Sequence, residues 1–195
     1  MLFSKPKYDF LIVGLGNPGD KYSETRHNVG FRCLDNLLKE LSVGKEKNKF
    51  HSLIADAEYN GHKLLLCKPQ TFMNNSGTAV SEIARFYKIQ SEKIIVISDD
   101  VSLDAGRVRI RKNGSHGGHN GLRDIITLLS TDNIPRIKIG VGQKPHPDYD
   151  LADWVLSKPS KEDAEKITEA EKKALEAIKA IVTEGLTAAM NKYNR

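Results

Sequence analysis

The hydrophobic positions of this chain fall into two rhythms, and their alternation predicts its elements. Phe10–Leu15, Ile94–Ser98 and Ile137–Val141 are apolar almost without interruption, as strands are when both faces of a sheet are covered. Phe50–Tyr59 and Lys63–Lys68 read as two further strands, joined at Asn60-Gly61, a dipeptide suited to a two-residue hairpin turn. Arg107–Lys112 sets Val108 and Ile110 between basic residues, the pattern of a strand with one solvated face.

Between these runs the period lengthens to that of helices. His27, Gly30, Leu34, Leu37 and Leu41 share one stripe of a helix expected to open near Ser23 or Thr25. Ser76, Val80, Ile83 and Tyr87 form a second stripe, and Leu122, Ile125, Ile126 and Leu129 a third. The longest helix is expected after Pro159, where Ser160-Lys-Glu-Asp163 resembles a capping box, and its stripe runs from Ala164 through Ile178 to Tyr193. Gln143–Asp150, with two prolines and little apolar content, reads as a surface loop. Strands and helices interleave throughout. The expected fold is therefore α/β: a single domain over residues 1–195, with a mixed twisted sheet flanked by helices and a long C-terminal helix.

Composition narrows the class. No apolar run approaches the length of about 18 residues that a membrane span needs. Residues 1–9 lack the apolar stretch of a secretory leader, so the cytoplasm is the expected compartment. Cys33 and Cys67 lie in apolar segments without metal-ligand spacing and are expected to be buried free thiols. The net charge of +5 permits a polyanionic partner. The positive charge is clustered: Asp104 to Arg123 holds Arg107, Arg109, Arg111 and Lys112 with no acid between them, and Arg136 and Lys138 follow. A solvated face would look similar, but a phosphate-binding patch fits the density of charge.

Candidate chemistry gathers at strand ends. Gly14-Leu-Gly16-Asn-Pro-Gly19 matches the dinucleotide fingerprint literally. However, Pro18-Gly19 and Asp20-Lys21-Tyr22 intervene before any helix, so a tight turn is the better reading. That turn leaves Asn17 at the end of a core strand. His27 lies on the sheet-facing stripe one turn before its apolar positions, which brings an imidazole to the same rim. Asp99-Asp100 ends another core strand; one carboxylate is expected to cap a turn and the other to hold a histidine. Asn74 or Ser76 is the ordinary N-cap of the second helix, with Phe72 and Met73 beside it as core or as an apolar wall for a ligand. Asn113-Gly-Ser-His116-Gly-Gly-His119-Asn120-Gly pairs histidines with glycines that permit close approach. No further ligand joins His116 and His119 locally, so no metal is expected. With neither a Gly-x-Ser-x-Gly elbow nor a P-loop, a His–Asp pair points to general-base activation of water, and the amides to recognition of carbonyls.

The order of these motifs carries a resemblance. Val13-Gly-Leu-Gly-Asn17-Pro-Gly-Asp-Lys-Tyr22, Thr25-Arg-His27-Asn-Val-Gly30-Phe, Lys68-Pro-Gln-Thr-Phe-Met-Asn74-Asn-Ser-Gly77 and Gly117-Gly-His-Asn120-Gly-Leu-Arg-Asp-Ile resemble bacterial peptidyl-tRNA hydrolases. The resemblance implies a monomeric enzyme without a cofactor that cleaves the ester between a peptide and the 3′ ribose of tRNA. It implies that His27 is the general base and Asp99 its hydrogen-bond partner. Asn17, Asn74 and Asn120 would hold the peptide and the 3′ end or steady the tetrahedral intermediate. Tyr22 and Met73 would line the cleft, His119 would sit by the terminal adenosine, and Arg111 and Lys138 would clamp a tRNA phosphate. About residues 143–153 correspond to the family's mobile lid. Ser98-Asp-Asp-Val-Ser102-Leu-Asp104 departs from the family's usual His-Asp-Asp/Glu-Leu-Asp-Leu-Pro. Two other readings are a nucleotide-binding oxidoreductase, which the glycine turn disfavours, and a catalytically silent RNA-binding relative, which retention of His27 with Asp99 disfavours.

Overall fold

A computed structural model describes residues 6–194. Residues 1–5 of the stretch read as lacking a leader lie outside the described residues, as does residue 195. The chain folds as a seven-stranded mixed sheet of order β2-β3-β4-β1-β5-β7-β6. The strands are β1 (Phe10–Gly14), β2 (Lys47–Lys49), β3 (Ser52–Tyr59), β4 (His62–Pro69), β5 (Ile94–Asp100), β6 (Val108–Arg111) and β7 (Arg136–Gly140). The helices are α1 (Val29–Glu40), α2 (Ser76–Tyr87), α3 (Asn120–Leu129), α4 (Leu151–Leu156), α5 (Lys161–Glu184) and α6 (Leu186–Tyr193). Strands β4, β1, β5 and β7 run parallel, while β2, β3 and β6 are antiparallel to their neighbours.

Alternation along each strand divides the core in two. Phe10 and Ile12 of β1, with Ile95 and Ile97 of β5, pack under α1 and α5. Leu11, Val13 and Leu15 join Val96, Val80 and Leu122 under α2 and α3 on the opposite face. This two-sided burial explains the unbroken apolar runs of the central strands. Cys33 and Cys67 are both buried and free. Among the described residues no helix is long and apolar enough to cross a membrane.

Four boundaries differ from expectation, each for a physical reason. The first helix opens at Val29 rather than at Ser23 or Thr25, because a 3₁₀ turn over Arg26–Asn28 precedes it. The strand expected from Phe50 begins at Ser52, because Phe50 and His51 take positive φ in a turn. The long C-terminal helix ends at Glu184, where Gly185 adopts φ 93°, and resumes as α6. Finally, Gln143–Asp150 is irregular as expected, but the lid-like loop expected to about residue 153 gives way to helix at Leu151–Leu156, with the Asp150 carboxylate accepting the Asp153 N–H at 3.0 Å.

Candidate active site

The chain leaves β1 toward β4 on one side and leaves β5 toward β7 on the other. Adjacent parallel strands with oppositely directed connections open a crevice at their carboxyl ends. A cavity of about 490 Å³ occupies that position. Of the residues singled out in the sequence, it gathers Asn17, Tyr22, His27, Met73, Asn74, Asp99, His119, Asn120 and Lys138. Arg111 does not line it and stands exposed on edge strand β6.

Asn17 follows β1 directly and is fixed from two sides. Its main-chain N–H donates to Asn28 Oδ1, and Asn28 Nδ2 donates back to its carbonyl, both at 2.9 Å. Its side-chain Oδ1 accepts the Met73 N–H at 2.8 Å. The amide Nδ2 is left for whatever enters the cleft. Asn28, which the sequence reading quoted only inside a motif, is therefore the residue that ties the β1 turn to the His27 turn. A buried Asn beside a candidate base is the one signal that could have marked it.

His27 sits in the 3₁₀ turn just before α1, and α1 lies hard against the sheet. A Cβ on Gly30 would fall 2.3 Å from Leu15 N, so only glycine permits that approach. From this position His27 Nδ1 donates to Asp99 Oδ1 at 2.8 Å. His119 Nε2 reaches the same oxygen at 3.0 Å, and the two imidazole centroids lie 5.0 Å apart. Thus His119, assigned by resemblance to the terminal adenosine, is a second imidazole on the Asp99 carboxylate. Burial works against the Asp99 charge, but His27 and then His119 hold the carboxyl far below the usual range.

The tautomers follow from the partners. His119 Nδ1 accepts the Leu122 N–H at 3.3 Å, which leaves the proton on Nε2, facing Asp99. His27 donates through Nδ1, so its unshared pair is on Nε2. The ligand atoms of His27, Asp99 and His119 lie within 4.8 Å of one another, close enough for a divalent cation. A metal at His119 Nε2 would demand the opposite tautomer and break the bond from Leu122. The donor set therefore suits hydrogen bonding and proton transfer better than coordination. His116 does not pair with His119; its Nδ1 accepts the Gly118 N–H at 3.1 Å while the ring lines the cleft.

Asp100 is the carboxylate that caps a turn, accepting Ser102 N–H at 2.8 Å and Ser102 Oγ–H at 2.6 Å. Burial opposes its charge, but hydrogen bonds from Lys138 and Ser102 lower its pKa overall. Lys138 Nζ donates to Asp100 Oδ2 at 2.7 Å, so the predicted phosphate contact already holds a counter-charge in the cleft. Arg136 does not belong to the exposed basic patch. It is fully buried and donates to the Gly114 and Ser115 carbonyls at 2.6 and 3.0 Å, which fixes the loop leading to His119. Arg123 donates to Asn120 Oδ1 at 2.7 Å, and Asn74 is exposed at the rim.

The cleft walls are apolar. Phe72, at φ 59°, stands 52% exposed and edge-on to Tyr22. Leu151, Val155 and Leu156 of α4 complete the lining; no helix was expected after the proline-rich loop Gln143–Asp150, so this wall was not foreseen from the sequence.

Comparisons with known proteins identify the family. The sequence profile of the family described as Peptidyl-tRNA hydrolase matches residues 11–195. A peptidyl-tRNA hydrolase of Clostridium botulinum (strain Eklund 17B / Type B) is 50% identical over 185 residues, 95% of each chain. One from Thermoanaerobacter sp. (strain X514) is 48% identical over 95% of this chain and 99% of that one. The crystal structure of peptidyl-tRNA hydrolase from Acinetobacter baumannii superposes with a TM-score of 0.91 at 35% identity, covering 98% of this chain and 97% of that one. With the family profile matched over residues 11–195 and near-complete coverage of relatives about half identical, this chain belongs to the peptidyl-tRNA hydrolase family.

Proposed function

We propose that this enzyme hydrolyses the ester between a peptide and the 3′-terminal ribose of peptidyl-tRNA, acting as a monomer in the cytoplasm. The observation that carries the mechanism is His27 in the cleft with Nδ1 on buried Asp99 and Nε2 unshared. In this reading Nε2 takes a proton from water as the oxygen attacks the ester carbonyl. Asp99 favours the imidazolium that forms and keeps the ring turned toward the cleft. The tetrahedral intermediate collapses with release of the ribose oxygen, which recovers the proton from His27. Peptide and free tRNA leave. Asn17 Nδ2 is the best-fixed donor for the peptide carbonyl or the developing oxyanion, because its Oδ1 is already committed to Met73. Asn74, Asn120 and Tyr22 would bind the peptide and 3′ end at the rim, with Met73 beneath them. The exposed β6 arginines and Lys138 would meet tRNA phosphates, and residues 143–153 would serve as a mobile lid.

The direct test offers the protein peptidyl-tRNA and, separately, aminoacyl-tRNA with a free amino group. Deacylation of the first only is expected. Equal rates on both, or none on either, would defeat the reading.

A further inference from the structure

Arg26 precedes His27 in the same 3₁₀ turn, and its side chain is buried. Its Nη1 donates to Ser157 Oγ at 2.7 Å, to the Lys158 carbonyl at 2.9 Å and to the Ser157 carbonyl at 3.3 Å. The Arg26 main-chain N–H also reaches the Ser157 carbonyl, at 3.2 Å. The guanidinium Cζ lies over Trp154, 3.5 Å from the ring centroid and within cation–π range. Trp154 in turn donates its indole N–H to the Gly142 carbonyl at 3.0 Å, just past β7. One side chain thus joins the turn that carries His27 to the helix that walls the cleft.

On the sheet side the turn is held by the paired Asn28–Asn17 bonds and by His27 on Asp99. No side chain caps it. On the α1 side, Arg32 donates to the Ser23 and Thr25 carbonyls at 3.0 and 2.8 Å and anchors on Glu171 at 2.7 Å. On the α4 side, Arg26 carries the buried connections, and Lys158 adds only an exposed ion pair to Glu24 at 2.5 Å. If α4 moved away, the guanidinium would lose its stack and its acceptors at once, leaving a poorly solvated charge next to the base. Meanwhile Leu151 and Leu156 expose their side chains on the cleft side of α4, 42% and 40% accessible.

We propose that Arg26 is a positioning residue that couples α4 to His27, so that seating α4 over the cleft orients the imidazole. This rests on the hydrolytic reading above. A substrate that contacts the α4 leucines thereby favours the seated arrangement in which His27 is aligned, and the coupling appears in turnover more than in affinity. A lysine cannot replace Arg26, because it lacks both the planar face for the indole and the forked donors.

The test uses the full-length protein with Arg26→Lys, Trp154→Phe and the double variant. Trp154 is the one tryptophan of the chain, so its emission reports the stack directly. In Arg26→Lys, emission should move to longer wavelength and acrylamide quenching should rise. Each single variant should lower kcat about tenfold, as small misplacements of a base do, with a smaller change in KM. The double variant should be no slower than the slower single, because both act through one connection. The His27 ring nitrogen signals should shift in both singles. Losses that multiply in the double variant would overturn the coupling. So would a changed indole emission in Arg26→Lys with the His27 ring signals and kcat unchanged. Absence of hydrolysis by the unaltered protein would defeat the hydrolytic reading alone, since the ring signals still report whether α4 governs His27. Trp154→Phe carries the same comparison if Arg26→Lys does not fold.

Discussion

Asp99 is the residue on which the site turns, because one oxygen serves two imidazoles. His27→Ala should leave the fold intact and lower turnover by about 10²–10⁴-fold, the usual contribution of a general base; steady-state hydrolysis with a circular-dichroism check measures it. Asp99→Asn should also be slow, since an amide does not stabilise the imidazolium, whereas Asp100→Asn should be much milder because Asp100 holds Ser102 and Lys138 instead. Equal losses would mean that the wrong carboxylate bears on His27. The depressed pKa of Asp99 has its own consequence. A carboxyl lower in the folded than in the unfolded state stabilises the fold above its unfolded pKa, about 3.9, and that stability is lost as pH falls toward the folded value. Urea unfolding between pH 5 and pH 2 should therefore show a shallower acid decline in Asp99→Asn than in the parent. Because the Leu122 N–H holds His119 in the tautomer that excludes a metal at Nε2, dialysis against EDTA should leave hydrolysis unchanged. Activity lost to chelation and restored by zinc would show coordination by His27, Asp99 and His119.

Elements differ in how far their sequences announce them. The buried strands and the striped helices were legible because two-sided or one-sided burial imposes a period on the residues. Strand β2 was not: Lys47-Asn-Lys49 is exposed throughout and is a strand only because β3 offers its edge. Helix α4 was hidden by the prolines before it and by its shortness, although Asp150 and the apolar Leu151, Val155 and Leu156 specify it. Site residues followed the same division. Asn17 and Asp99 sit at strand ends and His27 at the start of a striped helix, all of which the pattern located, while the meeting of His119 with Asp99 depends on the course of the loop held by Arg136. Nor did the sequence separate buried Arg136 from exposed Arg111, since alternation on a short edge strand says nothing about a loop lying above it. The α1–sheet contact is the most demanding element interface. Gly30→Ala would place a Cβ 2.3 Å from Leu15 N and 2.6 Å from the Ile97 carbonyl, both main-chain atoms that cannot rotate away. Such overpacking should cost at least about 1–3 kcal/mol in urea unfolding and should slow turnover as well, because α1 carries the His27 turn at its start. A variant of unaltered stability would mean that α1 has room to shift.

For the whole molecule, charge and chain order decide how a large polyanion is met. Arg107, Arg109 and Arg111 stand exposed at the β6 edge, next to the end of the cleft where Lys138 is held by Asp100. Arg111→Ala and Lys138→Ala should each raise KM for peptidyl-tRNA more than they lower kcat, and each should flatten the salt dependence by roughly one unit of slope on a duplex. Lys138→Ala should have the larger effect, because it also leaves the Asp100 charge facing the phosphates. Unchanged KM and slope in both would make the basic edge a solvated face. The order of the strands has a consequence in time rather than in space. The site draws on segments that follow β1, β4, β5 and β6 and also on Lys138 of β7 and on α4, and these last two, with the helix α5 that covers one face of the sheet, come from the last third of the chain. Every enzyme of this kind is born as an ester of tRNA, the very bond that its finished form is proposed to cut. Since the parallel pairing of β5 with β7 and the cover of α5 are absent until those later segments have been made, a growing chain that lacks them has no assembled cleft with which to release itself.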